Sequence, residues 1–354
     1  MAEPRRGRKT RSDPARWSFL FRFAFQVFPA YPVPMTFLLI SILCLSLEAD
    51  SPKPPNKAPA NTKAASRAAL ASETDPSADK AYDQLQAQDD AAQAEVDKWT
   101  AENVELAAKG AGMTEAELKR RVHDRFEPVR KAYDDFLRRH PNHVVAHLTY
   151  GSFLADRGDE AAAQLHWEKA LELDPKNAVA YNNLGGAYTE QGLVKQAYDC
   201  FSKAIELSPS EASFYHNFGD SIYVLRRGMV SQYGLTEQQV YAKSLQQYSN
   251  AVRLDPKNYL FASDLAQTYY ALTPLPFDDA LKAWTNALAI ASDQNKRELA
   301  HVHLARLKML AGRIAEARAQ LNNVTNQECF VLKSNLLLRI KEREKTEPPA
   351  VKKD

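Results

Sequence analysis

Apolar residues return along this chain at helical intervals and nowhere at strand intervals. Leu85, Ala92, Trp99 and Leu106 recur every seven residues, with Tyr82 and Val96 beside them, as one narrow stripe on an otherwise polar segment. Gly110 is a natural stop. Thr114 and Glu117 have the spacing of a capping box. Glu127 before Pro128 reads as another helix start, with proline in the permitted first turn. The pattern predicts an amphipathic helix over 80–110, which either packs on the body or pairs with a partner helix. A helix pair ending at Arg138, Arg139, His140 and Pro141 follows. No alternating stretch occurs from 80 to 343, so the predicted class is all-α.

The pattern also repeats. Prolines stand at 141, 175 and 209, each 34 residues after the last, and a fixed period of that length is the signature of stacked units. Between them, Tyr181, Leu184, Gly185, Tyr188, Ala197, Phe201 and Ala204 mark one period. His147, Tyr150, Gly151, Leu154, Ala163, Trp167 and Ala170 mark the one before. Tyr215, Phe218, Gly219, Ile222, Ser244, Tyr248, Ala251 and Pro256 continue it. Leu265, Ala266, Tyr269, Ala280, Trp284 and Ala287 follow, then more weakly Leu304, Ala305, Gly312, Ala317 and Leu321.

In these positions the chain resembles the tetratricopeptide-repeat family over 111–343. The resemblance implies a right-handed superhelical solenoid of antiparallel helix pairs, helix A and helix B. Units are expected near 144–177, 178–211, 212–258, 259–294 and 298–327, with a capping helix over 328–343 that begins at Thr325 and Glu328. Small residues such as Gly185 and Ala197 let the two helices meet, bulky ones fill the space around them, and prolines end helix B. No unit buries its apolar face alone; stacking does. The helix pair before Pro141 is expected to cap one end, and Phe330, Leu337 and Ile340 to dock the other.

In this family helix A lines a concave groove that binds peptides or partner helices. The inner-face positions so implied include Thr149, Ser152, Asn182, Asn183, Thr189, Glu190, Asn217, Asp220, Tyr223, Asp264, Gln267 and Tyr270. Asn183 and Asn217 carry the chemistry to hold a peptide backbone, and Tyr223 and Tyr270 that of a binding hot spot. Some members clamp chaperone tails with lysines, asparagines and an arginine. Here only Asn183 matches, and Leu148, Ser152, Ser213 and Asn217 replace the rest, so that ligand is not expected. The third unit carries thirteen extra residues between Ile222 and Ser244. They predict lengthened helices and a protruding hairpin whose Met229, Val230, Tyr233, Leu235 and Tyr241 either close on themselves or form a docking tip. A smaller insertion, 273–277, is expected to bend the next unit.

Charge changes the picture only at the N-terminus. Residues 1–50 hold seven basic and four acidic residues, leaving 39 basic against 40 acidic in 51–354. The body lacks the field to hold nucleic acid. Behind the arginines, residues 23–47 carry no charge, and 35–47 fit the apolar core of a signal peptide. Residues 1–49 are therefore read as a cleaved signal, a retained membrane anchor broken by Pro29, Pro32 and Pro34, or the product of a start misassigned from Met35. The first two readings place the body outside the cytoplasm. Residues 50–79 read as a disordered linker and 344–354 as a disordered tail.

Candidate chemistry is sparse. Cys200 and Cys329 lie too many helix pairs apart to bridge. His140, His143 and His147 invite a metal reading, but His147 holds a packing position of its unit. His301 and His303 point in different directions. No phosphate loop, dinucleotide fingerprint or nucleophile elbow occurs. The sequence thus predicts no enzyme, cofactor or metal, and an exported or membrane-tethered scaffold for a protein or peptide partner. The alternative is an accessory part of an envelope secretion or polysaccharide-export assembly, acting through the third-unit insertion and the 80–109 helix.

Overall fold

In the computed structural model, which describes residues 76–346 apart from 108, helices start and stop where capping chemistry puts them. Helix α1 (Pro76–Ala107) and helix α2 (Glu115–Arg139) form an antiparallel hairpin. Gly110 turns it with φ +74°, and the Asn103 side chain accepts from the Met113 N–H at 2.6 Å. Thr114 and Glu117 complete the capping box of α2. The expected break at Pro128 is absent: α2 runs straight through it. Leu118, Phe126, Val129, Tyr133 and Phe136 stay in phase on one buried side across the proline. That burial offsets the roughly 3 kcal/mol an interior proline costs. The N-terminal cap is therefore α1 with α2, and the 80–110 helix belongs to it. Leu85, Ala92 and Val96 are buried there, whereas Leu106, expected on the same stripe, is 45% exposed.

Five helix pairs follow. They are α3 (Val144–Ala155) with α4 (Glu160–Leu173), and α5 (Ala178–Glu190) with α6 (Val194–Leu207). Next come α7 (Ala212–Val224) with α9 (Glu237–Leu254), α10 (Tyr259–Thr268) with α11 (Phe277–Ile290), and α12 (Gln294–Leu310) with α13 (Ile314–Leu321). The crossings need small residues. A Cβ added at Gly151 would meet the Trp167 indole at 2.4 Å, and one at Gly185 the Phe201 ring at 2.8 Å. Gly186, one residue on, has nothing within 4 Å. Gly185→Ala is therefore expected to cost about 1–3 kcal/mol by overpacking. Gly186→Ala is expected to gain up to about 1 kcal/mol from helix propensity. Denaturant midpoints of the two variants check the contrast.

The third unit departs from expectation. Helix A is not lengthened. The insertion makes a separate short helix, α8 (Arg226–Tyr233), ended by Gly234 at φ +64°, before Thr236 and Gln239 cap α9. Met229 is buried with Val194, Phe201, Phe218, Ile222 and Val240, and Leu235 packs against that cluster. The insertion thus lies against the preceding unit rather than projecting as a hairpin. Of the expected tip residues only Tyr233 is largely exposed, at 43%.

Helix α14 (Gln327–Thr346) closes the described chain. The helix begins at Gln327, two residues after Thr325. The Thr325 N–H and hydroxyl and the Asn326 N–H all donate to the Glu298 carboxylate, at 2.7–2.9 Å. Cys329, Leu332, Leu336 and Ile340 dock the helix, and Phe330, expected to do so, is 64% exposed. Neither Cys200 nor Cys329 forms a disulfide. Among the described residues no helix is long and apolar enough to cross a membrane. Residues 76–79 of the expected linker form the first turn of α1 and 344–346 of the expected tail end α14, while the leader at 1–49 and the rest of the linker and tail lie outside the described residues.

Candidate partner-binding face

The side of the stack formed by the A helices is its tighter side. In the first three units successive A helices touch directly, α3 with α5 and α5 with α7, whereas their B helices meet to no comparable degree. Crowding on one side curves a stack toward that side. The inner-face positions named from the sequence fall on these helices, and most are spent joining one unit to the next.

Asn183 Nδ2 donates to Ser152 Oγ at 3.4 Å, Asn182 Nδ2 to Asn183 Oδ1 at 3.2 Å, and Asn217 Nδ2 to Asn182 Oδ1 at 3.0 Å. A ladder of neutral polar groups therefore crosses three units. Thr189 and Ser221 share a buried hydrogen bond at 2.6 Å, and Thr149 accepts from the Tyr82 hydroxyl at 3.1 Å. Asn182, Asn183, Thr189, Asp220, Tyr223 and Asp264 are all buried. Of these inner-face candidates, Asn182, Asn183, Thr189 and Asp264 bond across seams between units. Seams need polar partners because a buried amide or hydroxyl left unpaired is costly. Glu190 is exposed, and Asn217, Gln267 and Tyr270 are half-buried. Tyr270, on a 3₁₀ turn (Tyr269–Ala271), donates to the His303 carbonyl at 3.3 Å and lies under the Arg306 guanidinium at 4.3 Å.

The third and fourth units are joined by charge. His216, which the sequence reading passed over, lies between two carboxylates. Its Nε2 is 2.8 Å from Asp264 Oδ2, and its Nδ1 is 3.7 Å from Asp220 Oδ2. The Tyr248 hydroxyl donates to Asp220 Oδ1 at 2.5 Å. All of these side chains are buried. The three ligand-type groups lie within 4.8 Å of one another, as a metal site would require. The carboxylates, however, flank opposite ring nitrogens, and an ion held at one nitrogen would not bridge to the other. The arrangement suits a protonated imidazole. Burial alone would depress the His216 pKa; Asp220 and Asp264 overcome it and raise it to about 9. Burial and the neighbouring Asp264 raise Asp220 to about 7 against the pull of His216.

Both shifts mean that the folded chain holds protons the unfolded chain would release. The His216 contribution is complete below about pH 6.5 and disappears as pH rises through about 9, and Asp220 acts in the same direction between 3.8 and about 7. Thermal melts are expected to fall between pH 6.5 and 9, with a shallower fall in His216→Leu. Equal slopes in the two proteins would remove the imidazolium from the account.

Three other histidines, His143, His147 and His166, hold the first unit together. His147 Nε2 faces the Pro141 carbonyl at 2.8 Å, which can only accept, so Nε2 carries the proton. His147 Nδ1 then accepts from His166 Nδ1 at 2.9 Å. Burial, then the neighbouring His147, lowers His166 to about 4. His143 caps α3 by accepting from the Ala146 N–H.

Sequence signals of the antiparallel units fall at the centre of this stack. A family profile described as Tetratricopeptide repeat matches residues 178–211, and one described as TPR repeat matches 151–192. The chain carries tetratricopeptide repeats over residues 151–211. By sequence, no characterised protein matches it. Among solved structures, PilF of Pseudomonas aeruginosa is 17% identical, covering 74% of this chain and 100% of its own at a TM-score of 0.46. The thermophilic protein TTC0263 of Thermus thermophilus is 21% identical, covering 55% and 99% at 0.39. YrrB, described as a TPR protein with an unusual peptide-binding site, is 18% identical, covering 60% and 99% at 0.41.

Proposed function

We propose that the protein is a non-catalytic interaction scaffold that takes an extended peptide or a partner segment along the face of its A helices. One observation carries this reading: across the first three units the A helices touch and close their seams with their own polar bonds, while Glu190, Asn217, Gln267 and Tyr270 keep exposed surface. A row that needs no ligand to satisfy its buried groups is preorganised, which lowers the cost of binding. The surfaces of the alternative, an assembly part working through the insertion and the 80–109 helix, are largely spent inside the fold. Met229 and the Leu85, Ala92 and Val96 stripe are buried.

Peptides selected from a random library against the full chain test this. Tyr270→Ala is expected to weaken them at least tenfold, about 1.4 kcal/mol, while Leu165→Ala on a B helix leaves them unchanged. Peptides indifferent to Tyr270, Gln267 and Asn217 together would sink the groove reading. The proposal extends to location. The arginines and the uncharged run at 23–47 support work outside the cytoplasm or at a membrane, which cell fractionation checks.

A further inference from the structure

A glycine inside a helix calls for a reason, because only proline is a poorer helix former. Among the described residues, every glycine but one finds its reason in the fold. Five turn the chain at positive φ. At five more, the crossing glycines included, an added Cβ would meet a neighbour at 2.4–3.0 Å. Gly186 stands in the interior of α5 without a positive φ, and beyond the helix's own backbone nothing lies within 4 Å of an added Cβ. It weakens the helix, and no contact among the described residues needs it.

Its place is the face of the A helices. Ser152 and Asp220, inner-face positions of the first and third units, stand 34 residues before and after it. One turn earlier on α5 come Asn182 and Asn183, which carry the amide ladder from Ser152 to Asn217. One turn later come Thr189, bonded to Ser221, and Glu190. Between these two polar turns the half-buried Gly186 leaves a notch floored by backbone.

We propose, on the groove reading above, that Gly186 is the point where the bound segment crosses α5, its main chain lying against the helix with no side chain between them. Close approach of a second backbone is a use to which glycine alone is suited. The occupant is an extended peptide rather than a helix. A helix has paired its own backbone groups, and its side chains hold that backbone away from any surface it meets. An extended main chain offers unpaired N–H and C=O groups beside the amides one turn away. Asn182 and Asn183 each donate once and accept once in the ladder, of the two donors and two lone pairs an amide provides. Tyr270, in the fourth unit, is two helix layers from α5, about 20 Å. A stretch of about six extended residues reaches both.

The probe is a set of library-selected peptides that lose affinity in Tyr270→Ala, titrated calorimetrically into the full chain. Gly186→Leu is expected to weaken them at least tenfold and Gly186→Ala by a smaller factor, while both variants melt no lower than the wild type. Affinity that falls as stability holds or rises separates contact with the peptide from damage to the fold. Tyr270-dependent peptides that bind Gly186→Leu as tightly as the wild type overturn the crossing and leave the groove reading standing. A Gly186→Leu chain that melts below the wild type also overturns it, because the glycine would then serve the fold. If no selected peptide depends on Tyr270, Gln267 or Asn217, the groove reading falls and the crossing falls with it.

Discussion

Removing the Asp264 carboxylate with alanine is expected to cost the fold about 3–5 kcal/mol, the range for breaking a buried ion pair and leaving one charge behind. The charge left is that of His216, which is buried and has lost its 2.8 Å partner. Asp220 remains, but at 3.7 Å from the other nitrogen it compensates poorly. The site can relax by releasing the proton, so the His216 pKa should fall from about 9 toward or below 6.5. Denaturant unfolding at pH 7 measures the first effect and NMR titration of the imidazole the second. A loss under about 1 kcal/mol, the worth of a neutral hydrogen bond, would mean that His216 and Asp264 do not meet as charges.

The second large effect is expected at Trp284. Its side chain is fully buried in the fourth unit, and its ring stacks on His303 with centroids 3.9 Å apart and planes 2° from parallel. Truncation to alanine removes a large apolar surface and leaves a cavity that helices held on both sides cannot close, so about 3–5 kcal/mol is expected. The neighbour supplies an independent readout. Burial, then the nearby Arg306, holds His303 down at about 3. With the indole gone and water admitted, His303 should titrate nearer 6.5. Loss of stability without that rise would show that the site had collapsed onto the imidazole instead of opening.

What the sequence revealed is what steric contact dictates. Gly151, Gly185 and Gly219 were legible because a larger side chain at each would meet Trp167, Phe201 or Tyr248 at 2.4–3.0 Å, and such a constraint leaves a period. Pro128 misled because its local preference to start a helix says nothing of the apolar side that carries α2 through it. The insertion misled because its length suggested extension, whereas Gly234 breaks it into a separate helix. Position within the repeat identified Asn182, Asn183, Asp220 and Asp264 as inward-facing, but gave no sign of how much neighbouring units bury. His216 had a readable signal in its four-residue spacing from Asp220. Its stronger partner, Asp264, lies 48 residues away, so only the stacking of two units brings them together. Phe330 was assigned inward by hydrophobicity alone, although Cys329, Leu332, Leu336 and Ile340 already complete the inner stripe.

The short helix of the third unit has a mechanical consequence. At the joints of the stack, helix B of one unit packs on helix A of the next. Between the second and third units α8 reaches back to α6, so closely that a Cβ on Gly228 would strike Val194 at 2.4 Å. That joint carries this contact in addition to the packing of α6 on α7, and is expected to be stiffer than its neighbours. Bending of the superhelix to fit a bound chain is therefore displaced to the joints on either side, so the two ends of the concave surface adjust while its middle keeps a fixed pitch.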